Sequence, residues 1–407
     1  MNTPSFVEDH ISQIPAIQWL CKLGFEYLTE SEALQMRGNK TQQVILEGIL
    51  RKQLRLINSE KKISSSRTTY ISDANIENGI RTLQEISLNE GYIHATEHVY
   101  NLLTLGMAVE QYVDGDKKSF TLHFIDWENP KNNKFHVSEE FRVMRSTSRD
   151  HYVPDLVLFI NGIPIVIIEC KRPDMKEPLA QAISQHLRNQ QEDGIRSLYI
   201  YSQLLLSLAN QEASYATNGT PGKFWAKWKE KFYSEPDEKN YQKKLVKIKD
   251  SRLSTETHQK LFGERFRYVK QYFEALEEKE VRLTEQDEYL YNLCRPERLM
   301  DLIYSFILYD DGAKKVARYQ QFFAVKKTLE RIKRPSIDEK GRMKRQGGVI
   351  WHTQGSGKSL TMVMLAQAIA MEPSILNPKI ILVTDRTDLD QQITNTFRKC
   401  GKSVSNA

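Results

Sequence analysis

The sequence predicts an α/β chain built as two units: a small mixed sheet flanked by helices, then a helical connector and the start of a parallel sheet. Three observations point there. Between residues 106 and 171 the apolar pattern has period two and ends in a hairpin, LVLFI, Asn161-Gly162, IPIVIIECK. Helical periodicity follows in LAQAISQHLRNQ (179–190). Near residue 350 an apolar run, VIW, leads into a glycine-rich loop and the helical stretch LTMVMLAQAIA, and KIILVTD (379–385) reads as a second buried strand.

Taken in order, residues 5–60 read as helical, with Phe6, Ile11, Ile14, Ile17 and Leu20 near helical spacing and a similar pattern in residues 33–58. SEKKISSSRTTYIS (59–72) reads as a polar, mobile connector. VEQYV, SFTLHFI and KFHVSEEFRV are short strands parted by DGDKK and ENPKNN, and SLYIYSQLLLSLA (197–209) is a strand after the helix. Residues 223–270 are lysine-rich with Trp225, Trp228, Phe232 and Tyr241 interleaved. A solvated amphipathic helix over a core explains them better than contact with a phosphate backbone. Residues 280–330 read as helical again, and no internal repeat is present. The expected domains are 1–225, 226–312 (connector) and 313–407.

Composition excludes some classes and decides little else. With 40% hydrophobic and 27% charged residues the chain is globular and soluble in type. No apolar run approaches the ~18–20 residues of a membrane span, and MNTPSFVEDH is not a signal peptide. Cys21, Cys170, Cys294 and Cys400 are far apart and form no CxxC pair, which argues against zinc and disulfides and for a reducing, cytoplasmic setting. A formal charge of +6 is compatible with nucleic acid without requiring it.

Chemistry enters where the apolar strand IPIVIIECK ends. Residues two apart on a strand share a face, so Glu169 and Lys171 project together while Ile168 and Cys170 face the other way. Asp155, preceded by Pro154, opens the partner strand. Two carboxylates on one face suit a hard divalent cation such as Mg²⁺, and an adjacent lysine suits the charge that builds on a phosphodiester. Alone, Glu-x-Lys also describes a strand meeting solvent; the upstream Pro-Asp and the hairpin between favour a metal-nuclease edge. Parity adds a condition. With a plain two-residue turn Asp155 would pair with Ile168 and face away from Glu169, so a three-residue loop, 160–162, or an equivalent bulge is expected. Gln185 on the following helix can reach this edge or a DNA phosphate, and Glu8 is a further candidate carboxylate.

The second candidate site is residues 353–359, Thr353, Gln354, Gly355, Ser356, Gly357, Lys358 and Ser359, between the VIW run and a helix. Small residues let backbone N–H groups turn toward phosphates at a helix N-terminus; Lys358 would reach the β- and γ-phosphates and Ser359 would ligate Mg²⁺. His352 stands where the full phosphate-loop pattern has glycine, which makes this a variant Walker A loop. No DEAD- or DEAH-like acidic run follows before Ala407, so a truncated polypeptide that binds ATP without turning it over is expected.

With both sites in hand, the chain resembles the restriction (R, motor) subunit of type I restriction-modification enzymes over nearly all of its length. IDWENPKNNKF, VPDLVLFINGIPIVIIECKRP and ATNGTPGKFWAKW resemble that family's N-terminal nuclease region. RPERLMDLIYSFILYD, ARYQQFFAVKKTLERI, GGVIWHTQGSGKSLTM and VTDRTDLDQQI resemble its entry into the motor. The resemblance implies a restriction-endonuclease-like PD-(D/E)xK sheet with flanking helices, joined to the start of a RecA-like superfamily 2 translocase. It implies Asp155, Glu169, Lys171 and Gln185 in Mg²⁺-dependent DNA cleavage, and Gln321, with Gln320 as rival, reading the adenine of ATP. The family's QxxxY element is matched by Gln185, but Asn189 occupies the tyrosine position. Methyltransferase (M) and specificity (S) subunits and double-stranded DNA are the implied partners, with cleavage of unmethylated DNA away from the recognition site. A repair helicase-nuclease and a non-cleaving DNA-binding scaffold are the competing readings; nuclease-first order and the string DRTDLDQQ disfavour the former, the intact acid–acid–lysine set the latter.

Overall fold

The computed structural model describes residues 12–64, 67–263, 266–277, 282–337 and 341–404. The chain forms two compact units, residues 1–227 with 232–300, and residues 228–231 with 301–407.

The first unit is organised by six strands, β1 (Glu26–Leu28), β2 (Phe135–Glu139), β3 (Leu156–Ile160), β4 (Ile163–Lys171), β5 (Leu204–Ala209) and β6 (Glu212–Ala216), which lie side by side in chain order. The sheet is mixed: β1 runs parallel to β2 and β4 parallel to β5, while the remaining neighbours are antiparallel. All nine residues of β4 and all five of β3 are buried, because strands covered on both faces need apolar side chains at every position. The crossover from β4 to β5 carries helix α1 (Pro178–Asn189) and the single turn α2 (Arg196–Tyr199). This βαβ unit sets the helix against the carboxylate end of β4.

Several expectations need correction here. Residues 5–60 are not continuously helical: β1 separates helices Ile14–Lys22 and Glu30–Met36, and Thr29 starts the second with a reciprocal capping box to Glu32. The polar stretch 59–72 holds a hairpin, Lys61–Ser64 with Arg67–Thr69, in place of a structureless connector. SLYIYSQLLLSLA is helical at its start. It becomes a strand only at Leu204, where β4 offers partners through Val166 and the Gln203 N–H meets the Ile165 carbonyl at 2.7 Å. The segment read as a helical connector holds helices Glu235–Asp250, Thr255–Gly263, Lys270–Glu277 and Glu285–Cys294, as its periodicity suggested, and these lie within the residues of the first unit.

The β3–β4 turn has two residues, not three. Ile160 pairs with Ile163, and both Asn161 (φ 54°) and Gly162 (φ 84°) are left-handed, the type I′ pattern that matches strand twist. Asn161 is fully buried and tied down: its amide donates to the Phe124 carbonyl (3.0 Å) and Asn133 Oδ1 (2.8 Å), and its oxygen accepts from Lys134 N–H (2.9 Å). At Gly162 a Cβ would lie 2.6 Å from the Leu46 carbonyl oxygen, so only glycine fits. The extra residue that parity demands appears inside the strand as a bulge between Pro164 and Val166, after which Ile168 faces Leu156. Continuing that register sets Glu169 opposite Asp155.

The second unit holds a hairpin, Ile307–Asp310 with Ala313–Val316, then α3 (Tyr319–Lys333) packed on α4 (Lys358–Met371), and a last helix, Thr387–Lys399. The expected parallel α/β sheet is not formed among the described residues. Residues 346–357 and 372–386 contain no strand, and Val349 (92%), Trp351 (89%) and Val383 (88%) are exposed. An apolar run becomes a strand only when a neighbour takes its N–H and C=O groups. Here the two runs pair neither with each other nor with another described segment.

Candidate active site and phosphate loop

The bulged hairpin brings the sequence-predicted carboxylates together. Asp155 Oδ2 accepts the Cys170 backbone N–H at 2.6 Å and lies 3.6 Å from Lys171 Nζ. Lys171 is itself anchored on the Cys170 carbonyl at 2.6 Å. Glu169 is fully buried, close enough to the Asp155 carboxylate to feel its charge. Burial, and then the negative charge of Asp155, hold the Glu169 carboxyl well above the usual carboxylate range, with Lys171 opposing. Two neighbouring carboxyl groups that feel each other's charge hold on to a proton or take up a cation.

Helix α1 supplies the other side. Its residues Gln185 and Asn189, one turn apart and so on one helix face, donate to the two oxygens of Glu169: Gln185 Nε2 to Oε2 at 2.5 Å, Asn189 Nδ2 to Oε1 at 3.4 Å. Asn189, the departure from the QxxxY pattern, thus lies at the carboxylate. Its i, i+4 relation to Gln185 was the sequence signal that could have found it. Glu8 lies outside the described residues.

Among the described residues no group of three or more His, Cys, Asp and Glu side chains is arranged to hold a metal. The donor set nonetheless fits Mg²⁺, which is held by one or two carboxylates and keeps several waters. The two acids are adjacent, and the charge conflict between them is what a divalent cation relieves.

In the second unit, residues 353–359 form a compact loop that opens α4. Gly355 (φ 78°) and Gly357 (φ 81°) are left-handed, and Ser356 Oγ donates to the Thr353 carbonyl at 2.7 Å. Lys358 and Ser359 are the first two residues of α4, with Lys358 exposed, and Gln354 is exposed in the loop's turn. The nucleotide candidate Gln321 is buried. Its side-chain oxygen accepts the Arg318 N–H (2.9 Å) at the start of α3 and its amide donates to the Gly357 carbonyl (3.3 Å), so the side chain ties the start of α3 to the loop. Gln320 is exposed.

A mixed sheet presenting an acid–acid–lysine edge, and a glycine-rich loop opening a helix, make this a chain of the class that pairs a nuclease-type sheet with a nucleotide-loop unit. Comparison with known proteins narrows the class. Residues 5–231 match the family model for the type I restriction enzyme R protein N terminus, and residues 320–407 match that of the SWI2/SNF2 ATPase. The chain belongs to the type I restriction enzyme R protein N-terminal family. The type I restriction enzyme HindI endonuclease subunit of Haemophilus influenzae is 28% identical over 401 residues, 96% of this chain and 32% of that protein. A Methanocaldococcus jannaschii protein provisionally named type I restriction enzyme MjaIXP endonuclease subunit is 28% identical over 393 residues, 96% of this chain and 34% of its own length. The chain therefore spans about a third of the length of these relatives.

Proposed function

We propose that this chain carries the DNA-cutting site and the ATP loop of a type I restriction enzyme R subunit. Residues 1–225 would form the nuclease domain and 313–407 the start of the motor, with 226–312 as connector. The observation that supports this best is the meeting of Asp155 with the end of β4, where its carboxylate accepts the Cys170 N–H at 2.6 Å and lies 3.6 Å from Lys171 Nζ, with the Glu169 carboxyl in range of its charge.

Asp155 and Glu169 would hold Mg²⁺ through their oxygens, and the cation, when bound, supplies Lewis acidity at the phosphodiester. Gln185 and Asn189 fix the Glu169 carboxylate, so the cation meets an ordered ligand. Lys171, held against the Cys170 carbonyl, presents an ammonium to the charge that develops on the phosphate and to the leaving oxygen. In the other unit, the backbone N–H groups of residues 355–359 and the Lys358 ammonium would hold the ATP phosphates, with Ser359 on their Mg²⁺ and Gln321 or Gln320 near the base. The substrate would be unmethylated double-stranded DNA in the cytoplasm, recognised by M and S subunits and cut after translocation, away from the recognition site.

The test is cleavage of unmethylated circular DNA by the complete enzyme with ATP and Mg²⁺, comparing wild type with Glu169→Ala and Lys171→Ala. Loss of cutting with retained DNA-dependent ATP turnover is the expected result. Unchanged cutting would leave these buried side chains a structural cluster at the end of β4 and favour a non-cleaving role for the first unit.

A further inference from the structure

Beside the Glu169 edge two arginines stack on one tyrosine. Tyr152 lies three residues before Asp155, in the short strand His151–Tyr152 that pairs with Val143–Met144. The guanidinium carbons of Arg145 and Arg188 stand 4.8 and 4.5 Å from the centre of its ring. The two cations are held differently. Arg145 is neutralised, since it donates to the Asp193 carbonyl (3.0 Å) and carboxylate (2.5 Å), with the Asp150 carboxylate 3.9 Å away. Arg188 is an exposed residue of α1, and among the described residues it pairs with no carboxylate. Its Nε and Nη2 both donate to Asn189 Oδ1, at 3.3 and 3.2 Å, and the Asn189 amide reaches Glu169 Oε1 at 3.4 Å. A guanidinium has five N–H groups, so three of those on Arg188 are left for a ligand.

A long charged side chain on a surface ordinarily swings among rotamers. This one is fixed by a ring and an amide while its charge stays uncompensated, and a planar fork so prepared matches the oxygens of a phosphodiester. We infer that Arg188, held by Tyr152 and Asn189, binds a DNA backbone phosphate beside the one that is cut, and so sets which phosphodiester reaches the Asp155–Glu169 edge. The inference rests on the reading of that edge as the cutting site. Only one amide separates the guanidinium from Glu169, which makes the phosphate it takes a near neighbour of the scissile one. Arg145 has the supporting part: anchored on Asp193, it packs on the same ring that Arg188 uses.

Two measurements test this. The first is binding of a short fluorescent DNA duplex by the 407-residue chain, followed by anisotropy over a range of salt concentrations without divalent cation or nucleotide. Each phosphate contact adds about one to the slope of log affinity against log salt. Arg188→Ala is expected to lower the slope by about one on every duplex sequence. Arg188→Lys should keep the slope, and so should Arg145→Gln, because Asp193 already meets the Arg145 charge. The second is cutting of unmethylated circular DNA by the complete enzyme, with ATP turnover and thermal melting alongside. Arg188→Ala should cut roughly ten- to a hundredfold more slowly with DNA-dependent ATP turnover unchanged, and Arg188→Lys should fall between it and wild type. Arg188 is exposed, so these substitutions leave the core intact. Slower cutting with an unchanged salt slope would mean that Arg188 acts on Glu169 through Asn189, which overturns the phosphate contact. A slope lowered equally by Arg145→Gln, or no duplex binding by the wild-type chain, overturns it too. Wild-type cutting in Arg188→Ala, with cutting lost in Glu169→Ala, overturns the inference and leaves the cutting site standing. Cutting retained in Glu169→Ala overturns both.

Discussion

Acid should destabilise the first unit through His186 before most carboxylates titrate. Burial pushes the His186 pKa from its ordinary 6.5 down to about 3, and the hydrogen bond to Leu206 only partly opposes it. In the unfolded chain the imidazole regains its normal pKa and takes up a proton as the pH falls below ~6.5. The unfolded state then binds more protons than the folded one, so stability is present above that pH and lost below it. At pH 5 the loss from this one group is about 2 kcal/mol, at roughly 1.4 kcal/mol per pH unit. That is a sizeable share of the roughly 5–15 kcal/mol that holds a domain together. Urea unfolding at pH 8 and pH 5 measures it, with Trp225, whose ring centroid is 5.2 Å from that of His186, as a local fluorescent reporter. The wild type should lose about 2 kcal/mol more than His186→Gln over that interval. Nitrogen NMR of the imidazole should show the Nε2–H tautomer throughout. Equal losses in the two proteins, or an imidazole that titrates near 6.5, would refute the reasoning.

Other outcomes follow from the same geometry. Gly162→Ala places a side chain at φ 84° and 2.6 Å from the Leu46 carbonyl oxygen, so it should cost roughly 2 kcal/mol or more and lower the melting temperature of the first unit by several degrees. Because burial raises the Glu169 carboxyl, the folded state favours its protonated form: without divalent cation its contribution is lost as pH rises above ~4.5, and Mg²⁺ should stabilise more at pH 8 than at pH 5. A Mg²⁺ effect on melting that is independent of pH would contradict this. Lys358→Ala should weaken a fluorescent ATP analogue roughly ten- to a hundredfold while leaving the melting of the first unit unchanged, and undiminished binding would remove the loop from consideration.

Legibility followed locality. The β3–β4 hairpin could be read because both strands are apolar at nearly every position and Asn-Gly marks the turn, and Asp155, Glu169, Lys171 and Gln185 sit within that pattern or one helix beyond it. The three-residue strand β1 and the hairpin at Lys61–Ser64 are too short to leave a period. Tyr199 was hidden differently: it stands in an apolar stretch that looks like the start of β5, and its hydroxyl meets His186 of α1 only because the crossover folds α2 back beside α1. The runs at 349–351 and 380–383 failed for the opposite reason. Their composition is that of strands, but pairing is a property of neighbours, which composition does not carry.

The displaced residue at Ile165 bears on how such edges are searched for. Thirteen residues separate Asp155 from Glu169, and a two-residue turn leaves eleven, which cannot be divided evenly between two strands. A chain with one residue fewer and a regular ladder would align its acids equally well. A fixed interval between the two acids is therefore a poor fingerprint, and a search that demands one would discard true relatives. What must be preserved is the odd-or-even relation between interval, turn and bulge, so an insertion in one of the three is silent when another absorbs it.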